Sequence, residues 1–299
     1  MVITAYARAK INLTLDVLGK RPDGYHQVEM VMQSIELHDR LEFTPQPGGI
    51  SLAAPGGEVS SGGDNLVYRA ADLLRSLAGA KYGAHIKLEK AIPVAAGLGG
   101  GSADAAVTLS TLNKIWGMGL SLAELMALGE QLGSDIPFCL LGGTALASGR
   151  GERLEPVPPC PRLGLVLVKP PFGVSTALVY SAYNPALISQ RPKTSDMVKA
   201  IKEKNVSGIV LNLANMLEPI TTSMHPEIAV IKERLMEAGA LGVLMSGSGP
   251  TVFGVTAGLK AACEVAGRYK NRGEQVLVTE TFNPRRCDNK PVCQIIRRR

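Results

Sequence analysis

The stretch from Pro93 to Ala106, "PVAAGLGGGSADAA", decides how the chain is read. Gly97, Gly99, Gly100 and Gly101 are interrupted only by Leu98, and Ser102 follows them. Glycines let backbone N–H groups approach an anion closely, and a helix beginning at that point adds its positive end. The residues before the glycines, Ala84–Ile92, read as a strand. The residues after them, Ser102–Trp116, read as a helix, with Ser102 as its cap, Asp104 in its first turn and Gly117 as its stop. Strand, glycines and helix come in the order of a phosphate cradle, yet two known forms are excluded. A Walker loop needs Gly-Lys-Ser/Thr, whereas Ala103 and Asp104 follow Ser102 and the nearest downstream lysine is Lys114. The dinucleotide fingerprint needs Gly or Ala at the sixth position from Gly97, which is Ser102. On pattern alone two readings stay open, a phosphate loop and a close packing of strand on helix.

Upstream, "KINLTLDV" alternates strictly. Ile11, Leu13, Leu15 and Val17 fall on one face, and Lys10, Asn12, Thr14 and Asp16 on the other. Alternation alone favours a polar face turned to water. "RPDGYH" is a turn that leaves Tyr25 and His26 either at an ordinary hairpin tip or free to stack on a ligand, and Gln27–Leu37 returns as a strand. Asn65–Leu77 reads as a helix. "SLAE" at Ser121–Glu124 is a capping box. In "GSDIPF", Asp135 reads first as the cap of a short segment and second as a carboxylate able to accept a proton. "RLEPVPPCPR", Arg153–Arg162, is the candidate domain junction. Beyond it "LGLVLVKP" restarts a strand, with helices near Ser175–Tyr183, Ser195–Lys204, Ser207–Met216 and Pro226–Ala238. "MSGSGPTVFG" reads as a tight glycine turn between strands, and a helix near Leu259–Arg272 and the strand "QVLVTETF" complete an α+β pattern in two halves.

Composition bounds the function. The 299 residues are 45% hydrophobic and 19% charged, enough for a large folded core. The formal charge is +6, but Arg285, Arg286, Lys290, Arg297, Arg298 and Arg299 face only Asp288 in the final segment, which therefore holds +5 of it. A nearly neutral body argues against a nucleic-acid-binding fold, and a solvated terminus is the favoured reading of the tail. The five cysteines are odd in number and lack zinc spacing. Cys139 and Cys263 lie in apolar settings that suggest burial, and Cys287 and Cys293 could pair within the tail. With no apolar leader in "MVITAYARAK", a reduced cytoplasmic protein is expected, with no membrane and no nucleic-acid partner.

Taken together and in order, "AKINLTLDVLGKRPDGYH", "PVAAGLGGGSADAA", "GSDIPF" and "SGSGPTVFG" resemble the GHMP kinases over residues 1–282. The Lys-Ile-Asn and Gly-Tyr-His signatures resemble the branch whose alcohol substrate is a cytidine diphosphate-linked methylerythritol. The resemblance implies a two-domain fold. Its N-terminal domain (1–155) would be β-rich and carry the phosphate-binding loop and helix. An α/β sandwich-like C-terminal domain (162–282) would follow, then a basic tail (283–299) of no assigned role. It implies ATP and Mg²⁺ as cofactors, with Lys10 and Asp135 as the catalytic pair. The ATP loop would comprise Pro93, Val94, Ala95, Ala96, Gly97, Leu98, Gly99, Gly100, Gly101, Ser102 and Ala103. The substrate would meet Asn12, Tyr25, His26 and Tyr180, and its 2-hydroxyl would be phosphorylated. Ala95 and Ala103 stand where relatives often carry glycine and serine. Within the family, a homoserine or mevalonate kinase is the alternative. A dinucleotide-dependent oxidoreductase would need Glu124 as its ribose acid, but Glu124 belongs to the capping box.

Overall fold

The computed structural model describes residues 2–57, 59–79, 81–185, 191–284 and, for the backbone alone, 296–297. Two long strands, β1 (Ile3–Lys20) and β2 (His26–Pro47), form the antiparallel hairpin expected around "RPDGYH". β3 (Ile50–Ala53), helix α1 (Leu66–Ala78) and β4 (Tyr82–Glu89) follow, with the Asn65 side chain capping α1. The glycine stretch leads into α2 (Gly100–Ile115). Then come α3 (Leu122–Glu130), α4 (Ile136–Leu141), β5 (Thr144–Gly149) and β6 (Arg153–Pro156). The capping box forms as read, with Ser121 and Glu124 satisfying each other's backbone N–H.

After residues 157–163 the chain builds a second, antiparallel sheet. Its strands are β7 (Gly164–Lys169), β9 (Gly242–Met245), β10 (Val252–Thr256) and β11 (Gln275–Glu280), in the order β11-β7-β10-β9. Between β7 and β9 lie α5 (Thr176–Ser181), α6 (Thr194–Lys202), α7 (Val206–Leu211), β8 (Ala214–Asn215), α8 (Glu218–Met224) and α9 (Glu227–Glu237). Helix α10 (Leu259–Arg268) precedes β11. The helix expected over Ser207–Met216 stops at Leu211. β8 then pairs in parallel with β1, and the Asn215 carboxamide accepts from Leu217 N–H at 2.9 Å, turning the chain into α8.

The polar face of β1 differs from its expectation. Lys10, Asn12, Thr14 and Asp16 are all buried. The strict alternation holds only in part, since Ile11 and Leu13 pack in one core cluster while Leu15 and Val17 join another with Phe138 and Val179; α2 and α4 cover one side of the sheet and the second half of the chain covers the other. Ile11 and Leu13 join Leu165, Leu167 and Phe253 in one core cluster, which also takes Ala96 and Leu98. The glycine stretch is therefore pinned between the two halves by its own apolar side chains. Register shifts in the β1–β2 pairing fall between Arg8 and Lys10 and between Asn12 and Thr14. Bulges of this kind re-aim side chains.

Cys263 is exposed on α10, because the helix turns that apolar stretch outward, and Cys139 is half-buried. Asn283 and Pro284 pack on the body, where Asn283 donates to the Cys160 carbonyl at 2.7 Å. Residues 296–297 pair with Ile3 and Thr4, whose strand edge offers free backbone groups. Cys287, Cys293 and the remainder of the tail lie outside the described residues.

Candidate active site

A cleft of ≈ 1010 Å³ runs between the β1–β2 hairpin, the glycine stretch and α5. Lys10, Asn12, Tyr25, His26, Asp135, Tyr180 and residues 93–102 all line it.

The loop owes its shape to position-specific glycines. Gly97 (φ +76°) and Gly99 (φ +69°) occupy the left-handed region. A Cβ on Gly97 would sit 2.3 Å from the Ser246 carbonyl oxygen, and one on Gly99 would sit 3.0 Å from Lys10 Cγ. The glycine turn of residues 246–249 thus packs directly on the loop, and the Ser246 hydroxyl donates to Gly97 O at 3.0 Å. Lys10 N–H donates to Leu98 O at 2.9 Å, tying β1 to the same loop. Helix α2 starts at Gly100 with Gly99 at its cap position and no side-chain cap. Ser102 therefore lies inside the first turn and lines the cleft instead of capping. The first N–H groups of a 16-residue helix stay open to the cleft, the arrangement an anion needs. Ala103 departs from its expected place. Its N–H donates to Gly99 O, and its side chain is buried in the core beneath the helix. Ala95 holds φ +51°, and a Cβ at the facing Gly173 would come within 3.0 Å of its methyl group.

Lys10 and Asp135, far apart in sequence, meet at the foot of this loop with Nζ 3.3 Å from Oδ2. Asp135 occupies the N-cap position of α4, but its side chain makes no capping bond and turns to Lys10. The Lys10 ammonium also donates to Asn12 Oδ1 at 2.9 Å. Since a lysine can only donate, this bond fixes the orientation of the Asn12 amide, whose Nδ2 points to Met30 Sδ at 3.0 Å. The Lys10 side chain is 6% exposed and that of Asp135 31%, so the carboxylate is the member open to a ligand.

The far end of the cleft is aromatic. Tyr25 is 55% exposed, and the Arg150 guanidinium lies 4.9 Å from its ring centroid. His26 and Tyr180 pack with ring centroids 5.2 Å apart. Burial, aided by Lys20, holds the His26 imidazole below its ordinary pKa, so the ring is neutral near pH 7. Burial, then the nearby Asp135, pushes the Tyr180 hydroxyl well up, keeping it a donor.

Met30, Ser60, Asn65, Arg150, Thr176 and Ser248 also line the cleft. The sequence reading did not single them out for ligand contact. Arg150 lies in a Gly-Arg-Gly turn whose pattern announces a turn and nothing of Tyr25. Thr176 and Ser248, 72 positions apart, share a 2.8 Å hydroxyl contact that only the fold creates.

Models of the GHMP kinases N terminal domain and the GHMP kinases C terminal match residues 65–143 and 197–275. A 4-diphosphocytidyl-2-C-methyl-D-erythritol kinase of Pelotomaculum thermopropionicum is 67% identical over 286 residues, covering 95% of this chain and 100% of that protein. The chain belongs to the 4-diphosphocytidyl-2-C-methyl-D-erythritol kinase family of GHMP kinases. The family member of Acetivibrio thermocellus is 46% identical over 280 residues, covering 94% of this chain and 99% of its own length. A crystal structure of 4-(cytidine 5'-diphospho)-2C-methyl-D-erythritol kinase superposes with a TM-score of 0.81 at 35% identity, covering 94% of this chain and 100% of the other. Membership makes the chain a small-molecule kinase with the two-domain GHMP fold.

Proposed function

We propose that this chain transfers the terminal phosphoryl group of ATP to the 2-hydroxyl of 4-diphosphocytidyl-2-C-methyl-D-erythritol. The carrying observation is the Lys10–Asp135 pair at the foot of the glycine loop, in the same cleft as Tyr25, His26 and Tyr180. Loop residues 93–102 and the open end of α2 hold the nucleotide phosphates through backbone N–H groups. ATP would supply the phosphoryl group, and Mg²⁺ bound with it beside the loop residues would supply charge neutralisation. Among the described residues no group of three or more His, Cys, Asp or Glu side chains could hold a metal ion by itself.

Asp135 accepts the proton of the attacking hydroxyl as general base. Lys10 places its positive charge beside that oxygen and offsets the negative charge that develops there. Asn12 holds the Lys10 ammonium in place. The cytidine end binds between Tyr25 and Tyr180 by stacking, with neutral His26 hydrogen-bonding to the base. Arg150 carries a positive charge at the Tyr25 end.

Turnover of ATP with 4-diphosphocytidyl-2-C-methyl-D-erythritol tests the reading, with the new phosphate located on the product. Homoserine and mevalonate serve as competing acceptors, and faster turnover of either would overturn the substrate assignment. Tyr25→Ala is expected to raise KM for the cytidylylated substrate by about fivefold or more, because stacking contributes about 1 kcal/mol beyond the buried area. Its kcat should change little, since the ring lies remote from the reacting atoms. An unchanged kcat/KM counts against the stacking role.

A further inference from the structure

Beneath the glycine loop lies a buried charge cluster that the chemistry above does not use. Lys90 follows β4 and is 9% exposed at its side chain, against 0% for Asp39 and 3% for Asp104. Lys90 Nζ donates to Asp39 Oδ2 at 2.5 Å and to Asp104 Oδ2 at 2.8 Å. Asp39 Oδ1 accepts from the N–H groups of Ala91 and Ile92, at 2.6 and 2.8 Å, where the chain enters the loop. A Cβ on Gly100, the first residue of α2, would lie 3.2 Å from Lys90 Nζ and 3.0 Å from Ile92 Cγ2. The helix start that faces the cleft therefore rests on the Lys90 ammonium, and Lys90 and Asp104 both reach the cleft wall. Asp104 does not serve the first turn as a solvent-facing acid. It turns inward as the second carboxylate on one lysine.

We propose that Asp39, Lys90 and Asp104 form a positioning triad for the nucleotide phosphates, and that the charge this triad carries sets nucleotide affinity. The inference rests on reading residues 93–102 as the nucleotide loop. The hydrogen bonds divide the charge. Asp39 accepts from three donors and is the ionised member. Asp104 accepts from Lys90, meets the Asp39 carboxylate side chain to side chain, and has its Oδ1 buried without a donor, which makes it the place for a proton. Burial, together with the Asp39 charge and against that of Lys90, pushes Asp104 up to about 8. Burial works to lower Lys90, but the Asp39 charge and the hydrogen bonds to Asp39 and Asp104 oppose it, so the ammonium persists. Cys139 on α4 also senses the Asp104 charge, and burial, then Asp135, keeps its thiol neutral. With Asp104 protonated, the triad is one cation, one anion and a neutral acid. Loss of that proton puts a second, uncompensated negative charge under the site of a polyphosphate. This loop thus takes its lysine from below, as support for the helix start.

The test is calorimetric binding of a non-hydrolysable ATP analogue near pH 7 and near pH 9.5, with wild type and Asp104→Asn. Wild-type affinity is expected to fall about tenfold between the two, the effect of one buried charge within several ångströms of the phosphates. Asp104→Asn, neutral throughout, is expected to bind equally at both pH values, while KM for the alcohol substrate follows the same pH course in both proteins. Lys90→Met, which leaves Asp39 without its cation, is expected to lose at least about tenfold in affinity at either pH. Parallel pH profiles in wild type and Asp104→Asn, or full affinity in Lys90→Met, overturn the triad. Failure of Asp104→Asn to fold also overturns it, since an amide of that shape replaces a neutral acid. Absence of nucleotide binding at both pH values overturns the kinase reading instead.

Discussion

Asp135→Asn is expected to lower kcat by about 10²–10⁴, the range that general-base proton transfer contributes. The substitution is geometrically mild. An asparagine keeps an oxygen for the Lys10 ammonium, now 3.3 Å from Oδ2, and the partial exposure of the site lets water complete the shell. The glycine loop rests on Ser246 and Lys10 N–H, and neither contact involves the Asp135 side chain. Affinity for ATP should therefore hold within about threefold while the chemical step collapses. Steady-state turnover with direct nucleotide titration separates the two quantities. Near-wild-type kcat would falsify the base assignment. Equal loss of binding and turnover would make Asp135 a structural support.

The second large effect is expected at Gly97. Alanine there must adopt φ +76° and place its Cβ 2.3 Å from Ser246 O and 2.9 Å from Gly249 O. Both neighbours are backbone atoms, so no side-chain rotation relieves the contact. The loop must lift off the turn that carries Ser246–Gly249, breaking the Ser246 hydroxyl bond and weakening the bond from Thr251 N–H to Ala96 O. We expect Gly97→Ala to destabilise the protein by about 2–4 kcal/mol, the scale of backbone strain plus overpacking, and to weaken nucleotide binding by at least about tenfold. Gly101→Ala provides the comparison for stability. Gly101 is helical, and a Cβ there meets only Leu66 Cδ1 at 3.5 Å, so its melting temperature should not fall. Thermal melts of the two variants check the difference. Matching melts would show that the turn yields freely and that its packing does not set the loop.

Much of the fold was legible because its signals are local. The capping box at Ser121 and Glu124 formed as read, because both bonds close within one helical turn. Asn65–Leu77 became α1, and the Asp-Gly turn joined two strands. The misreadings share one cause. Ser102 and Asp104 both suit a helix start, but Gly99 holds the cap position, because the chain must enter α2 in a left-handed conformation while passing over Lys10. Asp135 suits an N-cap and holds that position, yet its carboxylate goes to a lysine 125 positions away.

Local order alone determined that a strand, a glycine stretch and a helix succeed one another at residues 84–116. It also determined that Lys10 and Asn12 share one face of a strand. Composition determined that the basic charge sits in the tail. The tertiary structure decided which polar groups leave water. Covering β1 on both sides turned an ordinary polar face into the buried floor of a cleft, and folding the second half over the loop placed Ser246 and Ser248 beside it. Hydrophobic periodicity records which side chains avoid water, and it is silent on which polar ones will be enclosed together. That second choice depends on contacts between distant segments, and here it separates a solvated lysine from one held 3.3 Å from a candidate base.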